Sequence, residues 1–384
     1  MLPKFETDEF LTQIAELQAK GAFNSYLLSI TALLNGYDVI FYRTQKEANT
    51  SIPHFPSEVA DPVFFAIRSG KKITHFASSR SEFSDLKTHQ IVENKSLLKA
   101  HLSQAGINVP FGGAASIQDF SILNKFHQAG VNRVTVKPVI GKGSRGVRLN
   151  QTLDQAKHAI HQNPGQVFII EQMITGVEFR ITASRAAVVA AQMISQPHVI
   201  GDGKSTLKHL VEREIEARKR NPAFLKRELD PRQILQMYAL QKAQDSDILE
   251  NGKKFWLTSD GLPNFAFRVP VLERLPSHFK KIATRTVQII KGSICGMDIV
   301  ADQAGVPYVL DIDAVSGMWF ECFPHPTGAW NLDVPEYVLK KNFPKHRCNR
   351  RQILSYDYTA LKAELLREDR QSKGVNAADF VVFA

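Results

Sequence analysis

The sequence predicts an α+β fold, because antiparallel strands joined by short turns alternate with segments of helical spacing. Residues 294–300 and 306–312 are apolar runs on either side of a turn-forming ADQAG segment, which is typical of a β-hairpin. A strand–loop–strand pattern covers residues 133–149. Helical spacing follows at residues 152–162 and again at residues 277–291, directly before the hairpin.

Three carboxylates in the hairpin predict a metal site. A turn centred on residues 303 and 304 would place Asp298 opposite Val309, and side-chain alternation would then put Asp298, Asp311 and Asp313 on one face. Three buried like charges are costly unless a cation neutralises them, and a donor set of oxygens alone suits Mg²⁺ or Mn²⁺. A solvated acidic turn is the alternative, but Asp311 and Asp313 lie in or beside an apolar run.

A glycine-rich loop upstream predicts a cradle for nucleotide phosphates. Strand-like residues 133–139 carry Lys137, the loop GKGSRG follows, and residues 147–149 resume the strand pattern. Glycines let backbone N–H groups approach phosphate oxygens, and the Lys and Arg of the loop add positive charge. The strand after the loop, in place of a helix, disfavours a P-loop or a dinucleotide fold. The candidate nucleotide-binding residues of this element are Lys137, Gly141, Gly143, Ser144 and Gly146.

The segment VFIIEQMITGVEFRI, residues 167–181, predicts a contact with the nucleoside. An extended chain with free backbone groups can bind an adenine edge, and a nearby carboxylate can bind ribose hydroxyls. Considered by itself, the segment is better explained as an ordinary hairpin that carries a surface Glu, and the nucleoside contact depends on the other two elements. The candidate residues here are Glu171, Gln172, Met173, Ile174 and Glu178.

In this order and spacing, the three elements resemble the ATP-grasp superfamily, which consists mainly of ATP-dependent carboxylate–amine ligases. Upstream, NKSLLK followed by AGINVP resembles the start of the same module, where the lysine aligned with Lys95 contacts ATP phosphate. A closer resemblance, over residues 93–335, is to the ATP-grasp modules of cyanophycin synthetases and glutathione-forming fusion enzymes, and it includes VIGDGKSTL at residues 199–207. Two positions depart from the family: Asp311-Ile312-Asp313 replaces Glu-x-Asn, and Ser316-Gly317 replaces Pro-Gly.

The resemblance implies two α+β lobes that clasp ATP, preceded by a small α/β N-terminal domain. The expected domains are residues 1–92, which shape the substrate site, 93–190 as the N-lobe or lid, 191–345 as the C-lobe with the metal site, and the tail 346–384. The apolar end of the tail is expected to dock as a strand. Other expected elements are a helix at 7–20, strands at 38–42, 62–68, 178–184 and 187–194, and a mostly helical stretch at 205–245.

The chemistry implied is ATP-dependent ligation, in which a carboxylate takes the γ-phosphoryl group and an amine then displaces phosphate to form an amide. Such a transfer needs positioning and charge neutralisation rather than a protein nucleophile. Lys95 and Lys137 are expected to bind phosphates, and the candidate catalytic residues are Arg180, Arg268, Ser316 and Gly317. Surface ion pairs are the alternative for both arginines. An ATP-grasp kinase and a nucleotide-binding protein without turnover are the alternative functions.

Composition supports an enzyme with anionic ligands. The chain has 384 residues with 48 Lys and Arg against 38 Asp and Glu, a net charge of +10. The basic residues are scattered and form no nucleic-acid-binding motif, which favours a cleft for anionic substrates and solvated helix faces over nucleic acid. The resemblance implies amino-acid or small-peptide substrates. A signal pattern is missing from the N-terminus, and no apolar run reaches about 18 residues, so a cytoplasmic protein without a membrane partner is expected. The sequence leaves open whether the protein forms a homo-oligomer.

Overall fold

The computed structural model describes residues 23–42, 64–83, 86–141, 146–224, 228–258, 266–314, 317–323, 331–348 and 380–382. They belong to two compact units. The first takes its described residues from 1–83, 194–270 and 317–384, and the second from 84–193 and 271–316. The segment 191–345, expected to form one lobe, contributes residues to both units.

Groups of strands and helices follow one another along the chain, as the sequence predicts. The strands are β1 (Asp38–Tyr42), β2 (Phe64–Ser69), β3 (Lys72–Ala77), β4 (Arg80–Ser81), β5 (Gly112–Ala115), β6 (Val134–Pro138), β7 (Arg148–Gln151), β8 (Phe168–Gln172), β9 (Gly176–Ser184), β10 (Val188–Ser195), β11 (His198–Ile200), β12 (Lys254–Trp256), β13 (Phe267–Pro270), β14 (Ile294–Asp302), β15 (Pro307–Asp313) and β16 (Phe380–Val382). The helices are α1 (Phe23–Leu34), α2 (Leu86–Glu93), α3 (Lys95–Gln104), α4 (Ser121–Gln128), α5 (Leu153–His161), α6 (Leu207–Lys219), α7 (Pro231–Leu240), α8 (Ser277–Ile289), α9 (Trp319–Cys322) and α10 (Asp333–Asn342).

The first unit contains an antiparallel sheet of order β16-β1-β2-β3-β4. The expectation that the apolar tail docks as a strand is confirmed, since Val381 of β16 lies opposite Phe41 of β1. Helix α1 supplies much of the neighbouring core because nearly all of its side chains are buried. The helix expected at residues 7–20 lies outside the described residues.

A separate apolar cluster of the first unit joins α6 and α7 to the short pair β11 and β12. The GDG segment precedes α6, and the Asp202 carboxylate accepts hydrogen bonds from the backbone N–H groups of Lys204 and Ser205. These bonds, with one from the Ser205 hydroxyl, lower the pKa of Asp202 to about 2. None of the helices in the described ranges is long and apolar enough to cross a membrane.

The second unit holds the elements that carry the predicted site. One antiparallel sheet has the order β5-β8-β6-β7, and its apolar core includes residues of α4 and α5. Helix α5 begins at a capping box, in which Thr152 and Gln155 each bind the backbone of the other. Strands β10, β9, β14 and β15 are consecutive neighbours in another sheet, and their core includes residues of α3 and α8.

The predicted register of the acidic hairpin is wrong, although the hairpin itself is confirmed. Asp298 lies opposite Asp311 rather than Val309, which pairs with Ile299. The turn is one residue longer than expected, because Ala301 pairs with Pro307, and a β-bulge at Asp298 and Ile299 adds a second shift. The longer turn alone would place Asp298 and Asp311 on opposite faces. The bulge returns them to one face, since it moves the pairing by a further residue.

Candidate active site

Two lysines one turn apart on α3 have their side chains in the interior of the second unit. The helix begins after Asn94, whose side chain accepts a hydrogen bond from the Leu97 N–H and so fixes the start of the helix. Lys95 and Lys99 follow at a spacing of four residues, which places both on one helix face. Both side chains are largely buried, which is uncommon for lysine unless it is paired.

Lys99 and Lys137 share one carboxylate. Lys99 Nζ lies 3.0 Å from Glu171 Oε1, and Lys137 Nζ lies 2.7 Å from Glu171 Oε2. Neighbouring strands β6 and β8 bring Lys137 and Glu171 together, and α3 supplies Lys99. We call Lys99, Lys137 and Glu171 the buried triad. Lys99 is not among the residues that the sequence patterns predicted for the site, although its spacing from Lys95 places it on the same helix face.

Charge attraction in the buried triad competes with desolvation. Burial opposes ionisation of Glu171, yet Lys99 and Lys137 outweigh it and lower the pKa of the carboxyl. Burial also opposes the charged form of Lys137, but Glu171 and nearby aspartates raise the pKa of that lysine. For Lys99 the balance is reversed, and burial lowers its pKa. Glu171 therefore stays ionised and depends on cations in its surroundings.

The three predicted metal acids lie beside two cationic side chains. Arg180 of β9 lies opposite Asp298, and its Nη1 is 3.1 Å from Asp298 Oδ1. The Nη2 of Arg180 is 3.4 Å from Asp313 Oδ2, and Lys95 Nζ is 3.3 Å from Asp311 Oδ2. We call Asp298, Asp311 and Asp313 the acid cluster. Their side chains are 32%, 34% and 49% exposed, so the cluster is open to solvent.

A glycine makes room for Arg180. Gly296 lies opposite Asp313 on one side and opposite Thr182 on the other. A Cβ atom at Gly296 would be 2.4 Å from Arg180 Nη2, too close for any side chain there while the guanidinium keeps its position. The absence of a side chain at Gly296 therefore lets Arg180 cross β14 and reach Asp313.

The acid cluster has suitable donors for Mg²⁺ or Mn²⁺, but its present geometry is that of ion pairs. Within the described ranges, no three His, Cys, Asp or Glu side chains converge closely enough to hold a metal ion. The carboxylate oxygens suit a hard cation. Three carboxylates against Arg180 and Lys95 leave one net negative charge, which a divalent ion could neutralise. Metal binding by Asp298, Asp311 and Asp313 thus stays a prediction.

Lys95 also contacts the glycine-rich loop. Its Nζ donates to the Gly141 carbonyl at 3.0 Å, and its backbone N–H donates to the Val139 carbonyl. The loop connects β6 to β7, which pair antiparallel as predicted, and Gly146 has a φ of +73°. Gly143 and Ser144 lie outside the described residues.

The segment after β8 is less available to a nucleotide than predicted. The N–H groups of Gln172 and Met173 donate to the carbonyls of Phe111 and Arg133, so the expectation of free backbone groups is wrong for these two donors. The Glu171 side chain is occupied by the two lysines. The nucleotide-binding roles of Ile174 and the carbonyls nearby stay predictions.

Glu178 lies on the face of β9 that also carries Arg180, because the two residues alternate along the strand. It is partly exposed and lies opposite Val300. This position is compatible with the predicted contact to ribose hydroxyls, at the same face as the acid cluster.

The other predicted catalytic residues belong to the first unit or are not described. Arg268 is buried, and its guanidinium carbon lies 3.9 Å from the centre of the Phe320 ring. Gly317 precedes α9, and Ser316 lies outside the described residues. The catalytic roles of Arg268, Ser316 and Gly317 stay predictions.

Comparison with known proteins supports the family resemblance. No model of a known protein family matches the chain. The chain is 26% identical over 249 residues to the glutathione biosynthesis bifunctional protein of Listeria innocua, covering 61% of this chain and 32% of the relative. It is 23% identical over 326 residues to the cyanophycin synthetase of Crocosphaera subtropica, covering 78% of this chain and 37% of the relative. The chain thus spans about a third of the length of these curated relatives.

A solved structure shows the same fold. The crystal structure of a bifunctional glutathione synthetase from Pasteurella multocida matches with a TM-score of 0.56 and 18% sequence identity, covering 76% of this chain and 41% of that one. The α+β elements and antiparallel sheets fit that architecture. The chain has the ATP-grasp fold, and it is similar in sequence to proteins named for the synthesis of glutathione and of cyanophycin.

Proposed function

We propose that the chain is an ADP-forming, ATP-dependent carboxylate–amine ligase. The observation that carries this proposal is the position of Lys95. One ammonium group lies within 3.0 Å of the Gly141 carbonyl in the glycine-rich loop and within 3.3 Å of Asp311 in the acid cluster. A phosphate-binding loop and a set of metal-binding carboxylates that meet at one lysine are what transfer of the γ-phosphoryl group requires.

The protein's part in this reaction is positioning and charge neutralisation. Lys95 and Lys137 bind phosphate oxygens of ATP, which keeps the γ-phosphorus in line with the attacking carboxylate oxygen. The bond between the γ-phosphorus and the bridging oxygen breaks, ADP leaves, and an acyl phosphate forms. An amine then attacks the acyl carbon, and phosphate leaves as the amide bond forms.

Arg180 is placed to act on the substrate side of the same site. Its guanidinium lies among the carboxylates of the acid cluster, and a planar fork of N–H donors also fits a substrate carboxylate or the oxygens of an acyl phosphate. Asp298, Asp311 and Asp313 would hold Mg²⁺ or Mn²⁺, which when bound neutralises charge on the transferring phosphoryl group. Arg180 would then be released from Asp298 and Asp313 and could contact the substrate.

Amino acids or small peptides are the substrates that fit best. The curated relatives are named for the synthesis of glutathione and of cyanophycin, and both names describe amide-forming chemistry on amino acids. The identities of the acid and the amine are open to a direct screen of amino acids and dipeptides for ADP release.

Hydroxylamine trapping tests the proposal. The protein is incubated with ATP, Mg²⁺ and a candidate acid, with hydroxylamine in place of the amine. We expect a hydroxamate, with ADP and phosphate in equal amounts, and no product when the acid is omitted. Lys137→Met should lose most of the signal, because a phosphate ligand is removed. A stable phosphorylated product without free phosphate or hydroxamate would instead establish a kinase.

A further inference from the structure

The buried triad contains more positive charge than its carboxylate needs. Two ammonium groups and one carboxylate leave a net charge of one positive unit among side chains that are 9% (Lys99), 11% (Lys137) and 2% (Glu171) exposed. Burying a cation without an anionic partner lowers the stability of the fold. A second lysine would therefore be unfavourable if the triad had only a structural role. The surplus indicates that one of the two lysines also interacts with charges outside the triad.

Lys137 is the lysine that is free to take a second partner. It lies near the end of β6, a few residues before the glycine-rich loop, and its charge is also attracted by Asp311 and Asp298. If Lys137 binds phosphate oxygens, its hydrogen bond to Glu171 weakens or is shared. Glu171 would then be a buried carboxylate in need of another cation, since removing one partner of a buried pair is strongly unfavourable.

Lys99 is fixed in the interior. Its Nζ donates to the Val309 carbonyl at 2.8 Å and lies 3.0 Å from Glu171, so one ammonium group joins β8 to β15. Val309 also donates its N–H to the Asn108 carbonyl, so both of its backbone groups are bonded outside the hairpin ladder. Held in this way, Lys99 stays beside Glu171 whether or not Lys137 moves.

We propose that Lys99 is a positioning residue whose charge keeps Glu171 neutralised and so releases Lys137 to bind nucleotide phosphate. The inference rests on the proposed function, since it takes ATP as the ligand of Lys137. Glu171 holds the Lys137 side chain in place before the nucleotide arrives, and Lys99 lowers the cost of the exchange. Glu171 is then a support for Lys137 and not itself a ligand of adenine. The low pKa of Glu171, caused by the two lysines against the effect of burial, agrees with a carboxylate that stays ionised throughout.

Removing the charge of Lys99 and removing the charge of Glu171 should have opposite effects on the affinity for ATP. In Lys99→Met, Lys137 must neutralise Glu171 alone, and we expect the Kd of ATP to rise about tenfold, which corresponds to the loss of one charge-assisted hydrogen bond. In Glu171→Gln, Lys137 has no anion to leave, and ATP should bind at least as tightly as to the parent protein. The double variant Lys99→Met/Glu171→Gln should return to within a few-fold of the parent, although each charge of the pair is gone.

Calorimetric titration of ATP into the full chain, without metal, tests the expected order of ATP affinities among the variants. Parent, Lys99→Met, Glu171→Gln, the double variant and Lys99→Arg are compared, each checked for folding by thermal melting. Lys125→Met removes a charge from an exposed position of α4 and is the matched control, with unchanged affinity expected. Lys99→Arg keeps the charge and should retain most of the affinity. In turnover assays, Lys99→Met should raise the KM for ATP more than it lowers kcat.

The outcomes separate this inference from the proposed function. If the parent does not bind ATP, the proposed function fails. If the parent binds ATP and Lys99→Met binds equally well, or the double variant is as weak as Lys99→Met, the role of Lys99 is overturned. Should Lys99→Met not fold, Glu171→Gln decides the question, because weaker binding by that folded variant would show that Glu171 assists binding directly.

Discussion

The buried triad and the acid cluster lie in the same compact unit and are both built from ion pairs, but they differ in exposure and in the sign of their surplus charge. The triad is closed to solvent and has one positive charge in excess. The acid cluster is a third to a half exposed and, with Arg180 and Lys95, has one negative charge in excess. One region therefore suits an anion and the other a cation.

Because of this difference in burial, the ion pair of Lys99 with Glu171 in the buried triad is fixed, whereas the ion pairs of the acid cluster can exchange partners. A buried carboxylate cannot lose its partners without a large cost, whereas ion pairs open to solvent contribute little to stability. If a metal ion binds the acid cluster as proposed, Arg180 would therefore be able to leave Asp298 and Asp313 for a substrate at little cost. Lys99 cannot leave Glu171 in the same way. The following predictions test this division.

The largest expected effect is on turnover. Asp311→Asn removes one charge from the acid cluster, and we expect Mg²⁺-dependent ADP release to fall by about 100-fold while the protein stays folded, as for other losses of transition-state charge stabilisation. Asp302→Asn is the matched control, because Asp302 lies in the turn of the same hairpin and its carboxylate accepts bonds from Ala304 and Val306. Near-normal turnover in folded Asp311→Asn would contradict a metal role for the cluster.

A smaller effect is expected on stability at acid pH. The folded-state pKa of Glu171 lies below its ordinary value of 4.5, so its contribution to stability is complete above pH 4.5 and is lost as the pH falls through the folded-state pKa. The free energy of unfolding, measured with urea between pH 3 and 7, should therefore fall less steeply for Glu171→Gln than for the parent. Parallel curves would show that the carboxylate is not held ionised by the two lysines.

The smallest effect concerns Gly296. Gly296→Ala places a Cβ where the Arg180 guanidinium now lies, and a flexible side chain can move aside at little cost in stability. With Arg180 displaced from Asp313, Mn²⁺ should bind a few-fold more tightly, because a competing cation is removed. Paramagnetic resonance of free Mn²⁺ measures this affinity, and Arg180→Gln should reproduce the gain. An unchanged or weaker Mn²⁺ affinity in both variants would mean that Arg180 does not compete with metal.

Sequence patterns predicted the local elements well and the contacts between distant segments less well. The hairpins, α5 and α8 follow from turn residues and apolar periodicity, and the docking of the tail strand follows from its composition. The register around Asp298 was wrong because the turn is one residue longer than expected and because a β-bulge leaves no sign in the alternation of side chains. The pairing of Lys99 with Glu171 joins residues 72 positions apart, and no sequence pattern indicates which carboxylate a lysine will reach before the fold brings the two together.

Metal-free binding of ATP to Lys137→Met and Asp311→Asn, measured side by side by calorimetry, tests the division between the two clusters most directly. We expect the Kd of ATP to rise by about tenfold or more in Lys137→Met, because a charge-assisted hydrogen bond to phosphate is lost. In Asp311→Asn the Kd should be unchanged or lower, because a negative charge near the phosphates is removed. Equal loss of affinity in the two variants, or parent-like binding by Lys137→Met, would contradict the account.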